Sequence, residues 1–195
     1  MDAKTFFKEF NDLFIPGSAT YKTAVSDYTH NTSYTDFIMD QINEIIKKEK
    51  NLKRSNEYFR IDAIGYTSRY KELADSGILN RHLWDLEIAV EHENDSKDWL
   101  DEVIKLAHVC CPLRVIIGYV PCGENDQQRL DYASDALKKL KCKDNLRTGE
   151  FMVILGNSNT KGQEERYFHY RAYILEATTF KFVSLEEHLG ANSAL

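Results

Sequence analysis

Residues 113–120, Leu-Arg-Val-Ile-Ile-Gly-Tyr-Val, constrain the chain more than any other segment. The run has the length and the β-branched and aromatic content of a strand, and Pro112 closes whatever precedes it. A strand this apolar on both sides belongs in the middle of a sheet covered on both faces. Just upstream, Trp99, Val103, Leu106 and Ala107 share one face of a helix reaching Cys110, which Asp95 or Ser96 is placed to cap. A helix feeding a buried strand is an α/β pattern.

The remaining segments extend it. Phe6, Phe10 and Leu13 mark a first helix that Pro16-Gly17 ends, and a polar stretch follows to about Tyr34. Residues 35–49 predict a second helix, with Ile38, Ile42, Ile45 and Ile46 on one side. The period then drops to two over residues 58–66 and again over 85–93, joined through Asp75-Ser76-Gly77. Beyond the central strand come a helix at 127–141, a strand at 151–155, a polar loop at 156–162, a strand at 167–177 and a short edge at 180–183. No repeat or low-complexity linker interrupts the series, and 195 residues suit one domain.

Composition closes off several classes. Hydrophobic residues at 43%, with only 3 Pro and 9 Gly, exclude a disordered or collagen-like chain. No apolar run approaches the roughly 18 residues of a membrane helix, so no membrane partner is expected. Acids outnumber bases 31 to 25, a net charge of −6, which argues against a coating nucleic-acid binder but not against an enzyme that gathers acids at its centre. The N-terminus lacks the basic start and apolar core of a secretion signal. Cys110, Cys111, Cys122 and Cys142 form no CxxC pair, so reduced thiols in a cytoplasm are expected and a structural zinc site is not. Walker-type phosphate loops, GxGxxG and GxSxG are absent.

The segment Trp84-Asp85-Leu86-Glu87-Ile88-Ala89-Val90-Glu91-His92-Glu93-Asn94 carries the chemistry. Strict alternation puts Leu86, Ile88, Val90 and His92 on one face and Asp85, Glu87, Ala89, Glu91 and Glu93 on the other. Same-face neighbours on a strand lie about 6.6–7 Å apart, so like charges are crowded there. Acids are also poor strand formers. Their accumulation calls for solvent, basic partners or a bound cation. An amphipathic strand with one wet side is the plainest account. Three features favour a site: the acids crowd toward the C-terminal end, Asp62 sits in line on the preceding strand, and a helix carrying lysines follows at once.

That constellation resembles the PD-(D/E)XK nuclease superfamily, whose pattern is a helix, a β-meander carrying Asp and then acid-x-Lys, a helix and a further strand. Asp62 matches the first acid, and Glu91-His92-Glu93 matches the second motif with Glu in place of Lys, an acid-x-acid variant. Ile61 stands where the motif has Pro, and the interval of 29 residues from Asp62 to Glu91 is longer than its usual hairpin. The resemblance covers about residues 35–120. It implies a restriction-endonuclease-like mixed β-sheet flanked by helices, with a C-terminal helix-plus-strands extension.

It further implies Mg²⁺, with Mn²⁺ as a substitute, held by Asp62, Glu91 and Glu93, and a backbone carbonyl from His92. Glu93 would bind a second ion or act as base, and Lys105 would supply the missing lysine from the helix, in preference to Lys97. Glu49 and Glu44 are weak candidates for an added acid, and His92 points to the apolar side. Basic groups at Lys47, Lys48, Lys50, Lys53 and Arg54, at Lys138, Lys139, Lys141 and Lys143, and at Arg166, Arg171 and Lys181 would meet phosphates only if they flank the acids. The resemblance thus implies a metal-dependent nuclease acting on DNA, as a monomer or a homodimer. The alternatives are the same fold without catalysis, used to bind protein or nucleic acid, and an unrelated regulatory α/β domain.

Overall fold

Among the described residues, 113–121 form the fourth of seven strands in one mixed sheet, the central position their apolar character demands. A computed structural model of the chain describes residues 1–27, 31–68, 84–95, 99–158 and 168–192. In chain order the elements are α1 (Ala3–Asp12), α2 (Ala19–Asp27), α3 (Asn31–Lys47), β1 (Lys53–Tyr58), β2 (Ile61–Ser68), β3 (Trp84–His92), α4 (Trp99–Ala107), β4 (Leu113–Pro121), α5 (Asp126–Lys139), β5 (Glu150–Ser158), β6 (Arg171–Glu176), β7 (Lys181–Ser184) and α6 (Leu185–Asn192). The strands lie side by side in sequence order. Neighbours run antiparallel from β1 to β3, parallel from β3 through β5, and antiparallel again to β7. The α/β class and the mixed sheet are as expected from sequence.

Each parallel step needs a crossover helix, and α4 and α5 supply them. Both pack on one face of the sheet, where Trp99, Val103, Leu106, Leu130 and Leu137 meet Ile64, Ala89, Ile116 and Val153. The other face is covered by α1 and α3, whose Phe6, Phe10, Ile38, Ile42 and Ile46 meet Ala63, Val90, Ile117, Tyr119 and Ile154. Gly118 fixes how closely α4 approaches. A Cβ there would stand 2.8 Å from the Trp99 ring, so only glycine lets the indole lie flat on β4.

Four features depart from the sequence reading. The strand expected at 58–66 is two strands: β1 and β2 form a hairpin around Phe59-Arg60, with Tyr58 opposite Ile61. The polar stretch before Tyr34 contains α2, and α6 follows the short edge strand. The face assignment of β3 holds for Ile88, Val90 and His92 but not for Leu86. Between Gly65 and Tyr66 the register slips by one, leaving Glu87 without an opposite residue. A bulge of this kind reverses the alternation below it, and Leu86 accordingly packs with Ala89 on the α4 side. Finally, the apolar strand β4 carries a fully buried Arg114. Its guanidinium donates to the carbonyls of Val109 and Asn145 at 3.2 and 3.3 Å, and to that of Thr148, which ties the strand's entry to the loop before β5. The turn at 75–77, Ser96, Lys97 and Arg166 lie outside the described residues.

Candidate acid–lysine site at the end of strand β3

β2 and β3 are antiparallel, so the start of one lies beside the end of the other, and Asp62 meets Glu91-His92 there. The backbone N–H of His92 donates to Asp62 Oδ2 at 2.8 Å, which fixes the carboxylate against the strand end. Glu91 is paired in the ladder with Ile116 of the central strand and is only 1% exposed. Its side chain shares the α4 face with Ala89.

Lys105 comes down from α4 because its apolar neighbours Val103 and Leu106 are seated on the sheet. The ammonium lies 2.8 Å from Glu91 Oε1, bonds Glu102 one turn back, and donates to the backbone carbonyl of Arg60 at 2.9 Å. A strand, a hairpin turn and a helix thus converge on one nitrogen. Apart from this ion pair, Glu91 Oε1 has no hydrogen-bond partner among the described residues.

The electrostatics follow from burial. Removal from water pushes Glu91 up to about 8; repulsion from Asp62 and Glu102 adds to this, and Lys105 opposes it. Asp62 is likewise raised, first by burial, with the His92 N–H and Lys105 working against the rise. Lys105 is raised: burial alone would lower it, but its bonds to Glu102 and Glu91 prevail. Among the described residues the site therefore brings three acids to one cation.

Glu93 is arranged differently. It lies just past β3, and its Oε1 accepts the Asp95 N–H at 2.7 Å, closing a local turn. The acid that completes the cluster is Glu102, three residues before Lys105, a spacing that puts both on one helix face. Neither Glu44 on α3 nor Glu49 just past its end joins the cluster through an ion pair among the described residues. Glu49 lies 3.9 Å from the N-terminal amine, while Glu44 faces Lys47 and Arg54. Within the basic groups, Lys48 pairs with Glu9 and Lys138 with Asp135.

On the opposite face of the same strand end, His92 is buried as read from sequence. Its Nε2 is 3.0 Å from the Tyr119 hydroxyl, which is 3.2 Å from that of Tyr170, itself 2.6 Å from that of Tyr34. Burial depresses the imidazole to about 3, so it is neutral at any physiological pH. Three strands over, on β6, Arg171 grips Asp126 at the start of α5 through Nε (2.5 Å) and Nη2 (3.0 Å), and Tyr173 donates to the same carboxylate at 2.7 Å. Sequence spacing showed neither network, because both join residues far apart in the chain.

Compared with protein-family models and with curated proteins, the chain matches none. No helix among the described residues is long and apolar enough to cross a membrane.

Proposed function

We propose that the chain is a metal-dependent phosphodiesterase of the restriction-endonuclease-like type, acting on DNA. The observation that carries the reading is the convergence of Asp62, Glu91 and Lys105 at the junction of β2, β3 and α4. The element order supports it. A helix (α3), a meander (β1–β3), a helix (α4) and a strand (β4) follow one another as the superfamily's pattern requires, with the acids on the second and third strands of the meander. Lys105, entering from the helix, stands in for the lysine that Glu93 replaces.

A hard divalent cation would be held by Asp62 and Glu91 alone, since no group of three or more acid, His or Cys side chains among the described residues is placed to hold one. Asp62 and Glu91 offer carboxylate oxygens, Glu91 Oε1 lacks a hydrogen-bond donor other than Lys105, and both acids are raised, first by burial and then by the neighbouring acids. Mg²⁺ bound there would neutralise the phosphate and make a bound water acidic. The chain's own part is to hold Asp62 through the His92 N–H and to aim the Lys105 ammonium at the developing negative charge on the phosphate. The Glu102 carboxylate keeps Lys105 protonated and oriented. Glu93 would add a second ligand or a base only by releasing the Asp95 N–H.

One observation favours the non-catalytic alternative: three acceptors already hold the Lys105 ammonium against Glu91, where a divalent ion would otherwise sit. Cleavage of single-stranded and supercoiled DNA with Mg²⁺ or Mn²⁺, beside Glu91→Ala purified identically, separates the two. Cutting that needs the metal and disappears in the variant supports the enzyme. No cutting by the wild type, with DNA still bound, supports the binding module.

A further inference from the structure

The β1–β2 hairpin turns in two residues, and both have left-handed backbones, with φ of +48° at Phe59 and +65° at Arg60. Such a turn favours Asn-Gly, because glycine and asparagine reach positive φ at little cost. Here it holds a phenylalanine and an arginine instead, and both face solvent, Phe59 being 68% exposed. The Tyr58 ring meets Phe59 edge-on, with centroids 4.7 Å apart, which steadies the exposed ring. The hairpin tip is also anchored to the acid–lysine cluster. The Arg60 carbonyl and Glu91 Oε1 lie within 3 Å of the same Lys105 nitrogen, and Phe59 is only one residue, about 3.8 Å of backbone, further out. A solvent-facing aromatic and a cation thus stand together in an unfavourable turn beside two acids.

We propose that Phe59-Arg60 is a substrate-gripping tip for single-stranded or locally unstacked nucleic acid. Phe59 stacks on a base next to the scissile phosphate, and Arg60 pairs with a flanking phosphate. The inference rests on the phosphodiesterase reading of the neighbouring cluster and narrows its substrate to strands with accessible base faces. An aromatic platform accepts any base, so grip without sequence preference follows. A guanidinium on the phosphate adds salt dependence.

The test replaces the tip by the residues its backbone prefers. The double variant Phe59→Asn/Arg60→Gly should keep the hairpin and raise the melting temperature. Its affinity for a fluorescein-labelled oligo(dT), read by anisotropy with Ca²⁺ replacing Mg²⁺, should fall roughly tenfold or more. Duplex of the same length should bind more weakly than single strand to the wild type and show less difference between the proteins. Phe59→Trp should retain binding, and its fluorescence should be quenched by the oligonucleotide. Unchanged affinity in the double variant overturns the tip, as does a variant whose only change is in the size of the protein in solution, which would assign Phe59 to contact between copies. Cleavage by the wild type that is abolished by Glu91→Ala but indifferent to the tip would leave the enzyme standing and remove this inference alone. Tip-dependent binding without any metal-dependent cleavage would do the reverse.

Discussion

Glu91 and His92 are neighbours on one strand and project to opposite faces of one sheet, yet their surroundings differ in kind. His92 sits among hydroxyls that pass hydrogen bonds through Tyr119 and Tyr170 to Tyr34, a neutral chain tying β3, β4, the entry to β6 and α3 together. Glu91 sits among charges, with Asp62 and Glu102 crowding it and Lys105 as their shared cation. The first arrangement gives His92 Nε2 and three hydroxyls partners in a neutral chain, leaves only the imidazole Nδ1 of His92 without one among the described residues, and holds the fold. The second leaves a carboxylate in a poor state and holds a site. Structures usually tolerate the second kind of environment only where chemistry needs it.

The two sides should respond to pH with opposite signs. Glu91 is raised in the folded protein to about 8, so the folded state binds more protons than the unfolded one above the ordinary carboxyl value of 4.5. Stability linked to Glu91 is therefore full below 4.5 and is lost as pH climbs through 8. His92 is depressed to about 3 from 6.5, so its linked stability is full above 6.5 and is lost as pH falls through 3. Raised Asp62 adds to the Glu91 trend.

Removing the cation should break the comparison most severely. Lys105→Met should reduce cleavage by about 10²–10³-fold, the scale for losing a preorganised charge at a reacting oxygen. It should also destabilise the metal-free protein by about 2 kcal/mol at pH 8, because it leaves a buried carboxylate without its partner. Chemical denaturation at pH 6, where Glu91 carries a proton, should show a much smaller loss. Glu91→Gln should act in the opposite direction. It removes the alkaline loss, on the order of 4 kcal/mol between pH 5 and 9, while the acid loss from His92 remains. Denaturation curves across that range that fall equally in wild type and variant would place the titration elsewhere.

Smaller effects sharpen the other side. Tyr119→Phe deprives His92 and Tyr170 of a hydroxyl and should cost about 1–2 kcal/mol without changing metal affinity. The Asn-Gly tip should stabilise by up to about 1 kcal/mol, or roughly 2–4 °C in melting temperature, since it relieves two left-handed residues. Calorimetry on the two variants reads both.

Much of this was legible in the sequence, for reasons that can be named. The order of helices and strands came from periodicity, and the central place of β4 from its apolar run. Asp62 and Glu91 could be read as neighbours because successive strands of a meander pair. Lys105 was visible because Trp99, Val103, Leu106 and Ala107 define which face of α4 meets the sheet. The bulge at Glu87 was not, since an added residue looks like any other in an alternating run. The hairpin at Phe59-Arg60 escaped because neither residue is one that announces a positive-φ turn. Glu102 had a signal in its spacing from Lys105, but pairs three apart are common on exposed helices. The tyrosine chain and the Arg171–Asp126 grip depend on contacts between residues 27 to 136 positions apart, which periodicity does not encode.

The most direct test of the acid-rich end of β3 is calorimetric titration of metal-free protein with Mn²⁺ at several pH values. The wild type should bind Mn²⁺ more tightly as pH rises from 6 to 9, releasing protons as Glu91 ionises. Glu91→Gln and Asp62→Asn should lose that binding, and Tyr119→Phe should keep it. Binding that ignores both acid variants, or a wild type that takes up no Mn²⁺ at any pH, would contradict the assignment of these carboxylates to a cation.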